Sequence, residues 1–405
     1  MSDRVVIVGA GQAGLSAAAE LRKRKFAGTV TVIGSEPVAP YQRPPLSKAY
    51  LSGEMPLDRL WLKPEKFFET NDIEVRTNER VTAIDRSASE VITNGGERIG
   101  YDQLIIATGG EARRIPIPGA ELEGVHVLRN LAEADALSGA VNTTDRLVIV
   151  GAGYIGLEIA ASCRKRGKEI VVLEAAERPM ARTASDLMSG FFGSVHRGYG
   201  VDLRVNTGVD GIIGKDGKVT GVRVGSEIIE TELVLLATGL VVSKQLAEAA
   251  GLDCNQGILV DGQARTSDPN IFAIGDVAEF HLPRYDRAVR LESVQNAIEQ
   301  GKIAAQAIMG EAVDYDPVPW FWSDQYELKL QIAGLIEGAT SFVRRGDPEA
   351  GKFALFHFKN KQLIACEAVN CAPEYMAAQR MIAKGAEPDP ERLRDESVAM
   401  KDFLS

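Results

Sequence analysis

Cysteine is scarce in this chain, which has only four cysteines in 405 residues and no C-x-x-C motif. The four are Cys163, Cys254, Cys366 and Cys371, and the first of them comes long after the first glycine-rich turn. A pattern without closely spaced pairs is typical of thiols that stay reduced. We therefore expect structural, reduced cysteines, as in a cytoplasmic protein.

Long apolar runs and an excess of positive charge are also lacking. No hydrophobic stretch approaches the roughly 18 residues of a membrane helix without a charge or a glycine, so we expect no membrane span. The first strand is predicted to begin at Val5, so we expect no signal peptide. The 46 Lys and Arg residues against 56 Asp and Glu residues give a net charge of −10. This balance argues against bulk nucleic-acid affinity but permits a local basic patch for an acidic protein partner.

Glycine, by contrast, is abundant, with 40 residues against nine tyrosines and three tryptophans. Such a balance favours a fold with many tight turns, as α/β folds have. A chain of 405 residues is too long for one hydrophobic core, so we expect two or three domains.

The opening stretch has the pattern of a dinucleotide-binding turn. Val5–Val8 is a β-branched run typical of a buried parallel strand, and Leu15–Lys25 is rich in Ala and Leu, like a helix. Between them, GAGQAG fits G-x-G-x-x-G at Gly9, Gly11 and Gly14. In this motif the first glycine makes the tight turn, the second admits a pyrophosphate, and the third lets helix and strand pack closely.

The segment after this helix extends the pattern. Val30–Ile33 reads as a second strand, and Glu36 stands just past its end, where a carboxylate can accept hydrogen bonds from a ribose diol. The loop VAPYQRPPLSK at 38–48 carries Arg43 and Lys48, and we expect it to wrap the cofactor. An ordinary tight turn followed by a rigid surface loop is the alternative for this unit taken alone.

The whole unit then returns later in the chain. Leu147–Val150 reads as a strand, and GAGYIG places Gly151, Gly153 and Gly156 at the same three positions. A helix and a second strand follow, and that strand also ends in an acid, Glu174. An internal repeat of a complete functional unit is much less probable by chance than a single glycine pattern.

Two dinucleotide sites suggest two different dinucleotides. One flavin and one nicotinamide give a redox path, because a hydride can pass between stacked rings. We place FAD in the N-terminal site and the nicotinamide cofactor in the second. The carboxylate of Glu174 favours a free 2′-hydroxyl and hence NADH over NADPH, a preference that the nearby Arg182 can soften. Each of the two units ends in the residues Ala-Thr-Gly, at 107–109 and at 237–239.

Two further acids are candidates for the flavin site. Asp276 follows the short apolar run at 271–274, and an acid at the end of such a strand can accept a hydrogen bond from a sugar or ribityl hydroxyl. An N-cap for the next segment is the alternative role. Glu292 stands just before the helix predicted over Ser293–Gly310, whose N-terminus could also point at the flavin ring.

We predict an α/β chain with two Rossmann-like dinucleotide-binding domains and a C-terminal α+β domain. The FAD domain is expected to be discontinuous, at 1–111 and 243–316, with the NAD domain at 112–242 and the C-terminal domain at 317–405. In the last domain we predict four antiparallel strands and a closing helix over Ala372–Lys384. The aromatic run Trp320–Trp322 is interpreted as core or interface filler, and 388–405 as a charged surface segment.

With these residues in hand, the chain resembles, throughout its length, the FAD-containing, NADH-dependent ferredoxin reductases of bacterial cytochrome P450 and oxygenase systems. The resemblance implies their glutathione reductase-like architecture. Glycine motifs are shared with many flavoprotein reductases, whereas RPPLSK together with PWFWSDQY is much more specific to this group. The motifs that carry the resemblance are GAGQAG, RPPLSKAYL, ATGG, GAGYIGLE, TSDP with AIGD, ESVQNA and PWFWSDQY.

The resemblance also implies roles for particular residues. Lys48 would lie near the reactive edge of the flavin, Glu158 beside the nicotinamide and paired with Lys48, and Glu292 on the other side of that pocket. These three are the predicted catalytic residues, and no metal ligand is predicted. The residues expected to contact FAD are Gly9, Gly11, Ala13, Gly14, Glu36, Arg43, Lys48, Val81, Ala107, Thr108, Gly109, Arg129, Asp276, Val294 and Trp322. Those expected to contact NAD are Gly151, Gly153, Tyr154, Ile155, Gly156, Glu158, Glu174, Arg182 and Gly239.

The activity that the resemblance implies is transfer of a hydride from NADH to tightly held FAD, then of single electrons to an acidic [2Fe–2S] ferredoxin. Trp322 would cover part of the flavin near the docking surface, and Lys302 matches a basic docking position. The sequence departs from the family pattern at Gln42 and Arg43, which puts charge near the flavin. We expect a monomer or a weak dimer.

Other proteins with this layout remain as alternatives. A disulfide reductase would need a redox cysteine pair, and an NADH peroxidase or oxidase a single active cysteine, in the loop at 41–48 or the helix after it. That region contains no cysteine. A reductase of rubredoxin or of another small redox protein has the same fold. An apoptosis-inducing-factor-like interaction flavoprotein would favour a basic surface, and the charge here is acidic.

Overall fold

The structure, a computed structural model, describes residues 3–312 and 314–404. Met1, Ser2, Val313 and Ser405, which the predicted domains include, lie outside the described residues. The α-helices are α1 (Gln12–Lys23), α2 (Glu65–Thr70), α3 (Leu131–Thr143), α4 (Tyr154–Lys165), α5 (Asp186–Gly198), α6 (Gln245–Ala249), α7 (Val294–Ile308), α8 (Ala372–Ala383) and α9 (Pro390–Arg394). Short 3₁₀ helices are formed by Pro44–Ser47, Leu57–Arg59, Gly275–Val277, Pro283–Tyr285 and Met400–Phe403.

The strands are short, as in most α/β proteins. In chain order they are β1 (Arg4–Val8), β2 (Thr29–Ile33), β3 (Ile73–Arg76), β4 (Val81–Asp85), β5 (Glu90–Thr93), β6 (Arg98–Gly100), β7 (Gln103–Ile106), β8 (Gly110–Ala112), β9 (Val125–His126), β10 (Arg146–Val150), β11 (Glu169–Leu173), β12 (Asp202–Arg204) and β13 (Gly211–Lys215). They continue with β14 (Lys218–Val224), β15 (Glu227–Glu230), β16 (Val234–Leu236), β17 (Leu240–Val242), β18 (Ile258–Val260), β19 (Ile271–Ala273), β20 (Ala278–Leu282), β21 (Arg287–Val289), β22 (Trp320–Gln325), β23 (Leu328–Gly334), β24 (Ser341–Asp347), β25 (Lys352–Lys359) and β26 (Gln362–Val369).

The chain divides into two compact units. The first unit comprises Met1–Gln42, Leu57–Glu111 and Val241–Pro317. The second unit comprises Arg43–Pro56, Ala112–Leu240 and Val318–Ser405. The three-domain division expected from the sequence stays a prediction.

The first unit is built on a five-stranded parallel sheet in the order β19–β7–β1–β2–β3. The β-branched residues of β1 are fully buried because helices can cover both faces of such a sheet. Helices α1 and α7 pack closely where Gly301 faces α1: a Cβ at Gly301 would lie 2.8 Å from the carbonyl oxygen of Ala13. Two smaller sheets, β4–β5–β6 and β18–β20–β21, complete this unit.

The second unit repeats the parallel sheet, in the order β12–β11–β10–β16–β9. Strand β10 has the burial pattern of β1, exposed at its first residue and buried at the other four. Residues 211–230 form the antiparallel sheet β13–β14–β15. The internal repeat predicted from the two glycine motifs is therefore a repeat of structure.

The second unit also holds a five-stranded antiparallel sheet in the order β22–β23–β26–β25–β24, which α8 covers. Four of these strands and the helix were predicted from the sequence. The fifth, β22, is the aromatic run interpreted as filler. It is a strand because side chains alternate along it, with Ser323 and Gln325 fully buried between half-buried neighbours.

The prediction for the C-terminal segment is wrong in part, because this segment is not simply a charged surface strip. Leu393 is fully buried and Met400 is nearly so, and both join the core of the antiparallel sheet. The buried guanidinium of Arg345 donates hydrogen bonds to the carbonyl oxygens of Leu393, Asp395, Glu396 and Val398. The many charged residues of this segment hide, in the sequence, the two apolar residues that anchor it, Leu393 and Met400.

The sequence of Ala49–Phe68 predicts a segment that is helical only in pieces. The chain there runs in turns between the 3₁₀ helices Pro44–Ser47 and Leu57–Arg59, and α2 begins at Glu65. In the described part of the chain, no helix has the length and apolar character needed to cross a membrane. Nor do His, Cys, Asp and Glu side chains of those residues gather in a group able to hold a metal ion.

Candidate functional site

The first glycine turn in the first unit has the shape that a pyrophosphate needs. Gly9 has φ +121°, and a Cβ there would lie 2.2 Å from the carbonyl oxygen of Ala107. A Cβ at Gly14 would lie 2.0 Å from the carbonyl oxygen of Gly9. Gly11 is different, since no atom of the described chain would come within 4 Å of its Cβ. Gly9 and Gly14 therefore allow the chain to pack closely, and Gly11 leaves open space beside the turn.

The space beside Gly11 lies at the N-terminus of α1, a helix of 12 residues. Gly11 is the N-cap, and none of the described side chains caps the helix there. Free N–H groups and the helix dipole make such an end a binding site for phosphate. The residues present therefore fit the pyrophosphate of a dinucleotide such as FAD.

Other predicted FAD residues of the first unit gather around this turn. A Cβ at Gly275, which has φ +76°, would lie 3.0 Å from Cβ of Ala13, so the turn that carries Asp276 abuts the start of α1. Glu36, beyond the end of β2, accepts a hydrogen bond of 2.5 Å from the hydroxyl of Tyr41. An ionised carboxylate has about four acceptor positions, and this is the chemistry that a ribose diol requires.

The second glycine turn reproduces the first within the second unit. Gly151 has φ +105°, and its Cβ would lie 2.5 Å from the carbonyl oxygen of Ala237. A Cβ at Gly156 would lie 2.2 Å from the carbonyl oxygen of Gly151, whereas Gly153 faces open space over the described atoms. Gly153 is the N-cap of α4, again without a side-chain cap among those residues. These residues fit a second dinucleotide.

The acid after β11 is placed at this second turn. Glu174 accepts hydrogen bonds from the backbone N–H groups of Ala152, at 2.7 Å, and Ala176, at 2.8 Å. One carboxylate oxygen therefore braces the glycine turn, a role that sequence reasoning missed. Near the same turn, Gly239 has φ +101° and faces open space in the described chain, and the side chain of Ile155 is 44% exposed.

A largely buried ion pair lies in the second unit. Nζ of Lys48 lies 2.6 Å from Oε2 of Glu158, and the pairing that the resemblance implies is thus present. The same oxygen accepts a 2.6 Å hydrogen bond from the hydroxyl of Ser47, and Oε1 accepts one of 2.7 Å from Ser323. Glu158 is only 4% exposed, so these three donors replace its hydration.

The local sequence explains how these groups meet. Pro44–Ser47 forms a 3₁₀ turn in which the adjacent prolines preset φ, and this turn presents Ser47 and Lys48 to α4. On α4, Tyr154 and Glu158 lie one turn apart on one face. Alternate residues of β22 meet that face: the ring of Phe321 packs edge-on against Tyr154 at 4.5 Å, and Ser323 bonds Glu158. Burial raises the pKa of Tyr154.

The remaining predicted residues are distributed over both units. In the first unit, Val81 belongs to the hydrophobic core, and Oγ1 of Thr108 donates a hydrogen bond of 2.8 Å to the carbonyl oxygen of Ser243. The carboxylate of Glu292 forms an ion pair with Arg290 at 2.7 Å, and helix α7 begins two residues later, at Val294. In the second, Arg43 donates to the Arg129 carbonyl at 2.6 Å, and the Trp322 ring lies 5.9 Å from that of Trp320. The ligand contacts of all these residues stay predictions.

Ser47 and Ser323 are site residues that sequence reasoning missed. Both lie inside the two motifs that carry the resemblance, RPPLSK and PWFWSDQY. A signal was available: in PWFWSDQY the polar residues Ser323 and Gln325 alternate with the aromatic and acidic ones, as expected for one face of a strand. This alternation predicts a strand with one polar face, which packs against another element of the chain.

Together these features define a protein with two turns suited to dinucleotides and with no cysteine before Cys163. Comparison with known families agrees. The family model described as pyridine nucleotide-disulphide oxidoreductase matches residues 3–301, and the one described as reductase C-terminal matches 320–404.

Known relatives match nearly the whole chain. Rhodocoxin reductase of Rhodococcus erythropolis is 44% identical over 398 residues, which cover 98% of this chain and 93% of that protein. Putidaredoxin reductase CamA of Pseudomonas putida is 36% identical over 410 residues, with 100% and 97% covered. Among solved structures, the ferredoxin reductase for the CYP199A2 system from Rhodopseudomonas palustris has a TM-score of 0.97 at 38% identity, with both chains fully covered. The covalent putidaredoxin reductase–putidaredoxin complex gives 0.96 at 36%, covering 99% and 98%.

The chain therefore belongs to the pyridine nucleotide-disulphide oxidoreductase family, and within it to the ferredoxin reductases. This confirms the predicted fold class and the resemblance. The chain is an oxidoreductase that uses FAD and NADH and has an iron–sulfur ferredoxin as its partner.

Proposed function

We propose that this chain oxidises NADH through FAD and delivers single electrons to an acidic [2Fe–2S] ferredoxin that supplies a cytochrome P450 or a ring-hydroxylating oxygenase. The observation that carries the proposal is the pair of glycine turns, one in each unit, each with an uncapped helix N-terminus over the described residues. FAD, when bound, supplies a ring that accepts a hydride and releases electrons one at a time.

In this proposal the residues of the first unit hold FAD. The N–H groups at the start of α1 bind its pyrophosphate, Glu36 accepts from its ribose, and Asp276 accepts from a hydroxyl of its ribityl chain. The turn beside α1 supports the last role, because the close approach of Gly275 to Ala13 brings Asp276 to the same helix end.

Residues of the second unit hold NADH and control charge. The N–H groups at the start of α4 bind the pyrophosphate of NADH, and the braced carboxylate of Glu174 accepts from a free 2′-hydroxyl while repelling a 2′-phosphate. Lys48 stabilises negative charge that develops on the flavin, as fixed charges do in many active sites. Glu158 sets the position of the Lys48 ammonium.

The partner and the compartment belong to the same proposal. A local basic patch that includes the exposed Lys302 would receive the acidic ferredoxin, although the net charge of the chain is −10. Cys163, Cys254, Cys366 and Cys371 are all free, and this supports a reducing, cytoplasmic environment. We also propose a monomer or a weak dimer.

The test is an anaerobic titration of the purified protein with NADH, followed by turnover with ferredoxins. NADH is expected to bleach the visible absorption of bound flavin at about one equivalent, and NADPH to do so only at much higher concentration. Cytochrome c reduction should then depend on added [2Fe–2S] ferredoxin. Protein without flavin, or flavin that NADH leaves oxidised, would contradict the proposal.

Rubredoxin is the second candidate partner. The rubredoxin–NAD(+) reductase of Pseudomonas putida is 36% identical over 367 residues, which cover 90% of this chain. The same turnover assay should therefore compare a [2Fe–2S] ferredoxin with a rubredoxin at equal concentration. Faster cytochrome c reduction through rubredoxin would replace the ferredoxin assignment.

A further inference from the structure

A chain of hydrogen bonds continues inward from Glu158 through the second unit. Ser323 donates to Oε1 of Glu158 at 2.7 Å, and Nε2 of Gln325 donates to the hydroxyl of Ser323 at 3.1 Å. Oε1 of Gln325 lies 2.8 Å from Nε2 of His196. The ring of His196 then meets the hydroxyl of Tyr326, 3.3 Å from Nδ1. Glu158 and the next three side chains of this series are at most 4% exposed.

The direction of every donor follows from the groups involved. Because the amide NH₂ of Gln325 faces Ser323, its carbonyl oxygen faces His196, so Nε2 of His196 carries the proton. Nδ1 is then unprotonated and accepts from the hydroxyl of Tyr326. Each donor in the series therefore points toward the carboxylate of Glu158. Hydrogen bonds in such a series polarise and strengthen one another.

The fold retains this arrangement at some conformational cost. Tyr326 stands in the two-residue connection between β22 and β23 with φ +57°, a region that bulky residues rarely adopt. Its ring stacks on that of Tyr199, with 3.7 Å between centroids and 6° between planes. The stack and the bond to His196 explain why a tyrosine occupies a position that suits glycine or asparagine.

We propose that His196 is a positioning residue for the Lys48–Glu158 pair, which it orients through Gln325 and Ser323. The series does not conduct protons, because the amide of Gln325 has no proton that it can readily exchange along it. Its effect is to hold one rotamer of Glu158 and hence one position of the Lys48 ammonium. The inference rests on the proposed function, because the pair matters to turnover only if it acts at the flavin.

The variants that test this proposal are S323A, H196F and H196Q, with S189A as the matched control. Ser189 lies on α5, as His196 does; it is fully buried like Ser323 and donates one hydrogen bond, to the carbonyl of Pro179 at 2.5 Å. S189A therefore loses a comparable buried bond without touching the series. H196Q keeps an N–H donor near the place of Nε2, whereas H196F fills the volume without one.

Anaerobic stopped-flow reduction of the bound flavin by NADH is the first measurement. The limiting rate should fall about tenfold in S323A and severalfold in H196F, with the Kd of NADH changed less than twofold, because only the reacting end is displaced. H196Q should recover most of the rate, and S189A should match the wild type. Equal rates in S323A, H196F and S189A would reduce the series to a structural role and overturn the proposal.

Nitrogen-15 NMR of histidine-labelled protein is the second measurement, and it does not depend on activity. The chain has four histidines, so assignment by single substitutions is direct. His196 should report a neutral ring with the proton on Nε2, and S323A should shift its signals. A proton on Nδ1 would contradict the series even in fully active protein. If NADH leaves the flavin of the wild-type protein oxidised, the proposed function is wrong, whichever nitrogen of His196 carries the proton.

Discussion

The ammonium of Lys48 and the carboxylate of Glu158 lie 2.6 Å apart, with side chains that are 19% and 5% exposed. A buried ion pair of this kind contributes little net stability, because desolvation of both charges offsets their attraction. Two serine hydroxyls complete the shell of Glu158. A buried charged pair that adds little stability and is held by further hydrogen bonds is typical of a functional position.

Removal of the cation should affect both activity and stability. In K48M the buried carboxylate of Glu158 retains only its two serine donors, so we expect a loss of about 2–3 kcal/mol in the free energy of unfolding. Flavin reduction by NADH should slow at least tenfold while FAD stays bound. Urea unfolding and stopped-flow absorption measure the two effects.

The matched control for this prediction is K165M. Lys165 is also in the second unit, and its ammonium pairs with Glu327 at 3.0 Å, but here both side chains are largely exposed, at 47% and 67%. Exposed pairs contribute little to stability. K165M should therefore leave both measurements unchanged. A K48M protein that reduces its flavin at the wild-type rate would remove Lys48 from the proposed mechanism.

The sequence predicts the doubled parallel sheet well because a buried β-branched strand followed by G-x-G-x-x-G is a local signal. It also predicts the meeting of Lys48 and Glu158, although only through resemblance, since 110 residues separate them. Ser323 and His196 were not predicted, because their function depends on which strand face meets α4 and α5. Leu393 and Met400 were missed for a similar reason: their burial depends on Arg345, on a distant strand.

The two open glycines make a prediction that separates the cofactors. G11A should fold, because a Cβ there meets nothing within 4 Å of the described atoms, yet bind FAD at least tenfold more weakly, because the methyl group occupies space next to the pyrophosphate. G153A should keep its FAD and raise the KM for NADH by a similar factor. Flavin content after gel filtration and steady-state kinetics measure these outcomes.

G139A is the control for both glycine variants. Gly139 lies within α3, and its Cβ would also meet nothing within 4 Å in the described chain. Alanine there should raise the free energy of unfolding by about 0.5–1 kcal/mol through helix propensity and leave both cofactors unaffected. If G11A and G153A changed the same cofactor, the assignment of one dinucleotide to each turn would be wrong.

Arg345 should prove essential to the C-terminal segment. Its guanidinium is 6% exposed; besides four backbone carbonyls it contacts Glu374, at 3.3 Å. R345M leaves those carbonyls and that carboxylate without their donor, so we expect a loss of about 3–5 kcal/mol and tryptic cleavage near Arg392. R344M, one residue earlier and exposed, should behave as the wild type. Equal melting temperatures for R345M and R344M would contradict this anchoring role.

Acidification provides an independent measure of the environment of His196. Burial lowers the pKa of His196 below the ordinary value for histidine, about 6.5, although the hydrogen bond with Gln325 acts in the opposite direction. Below pH 6.5 the unfolded chain binds a proton at this ring that the folded chain does not, so the folded state loses stability as the pH falls. Glutamine does not titrate, and the destabilisation caused by H196Q should therefore be largest near pH 7.5 and decrease toward pH 5.5. Urea unfolding of wild type and H196Q at both pH values gives the two differences, and a constant difference would mean that His196 titrates in the same range in both states.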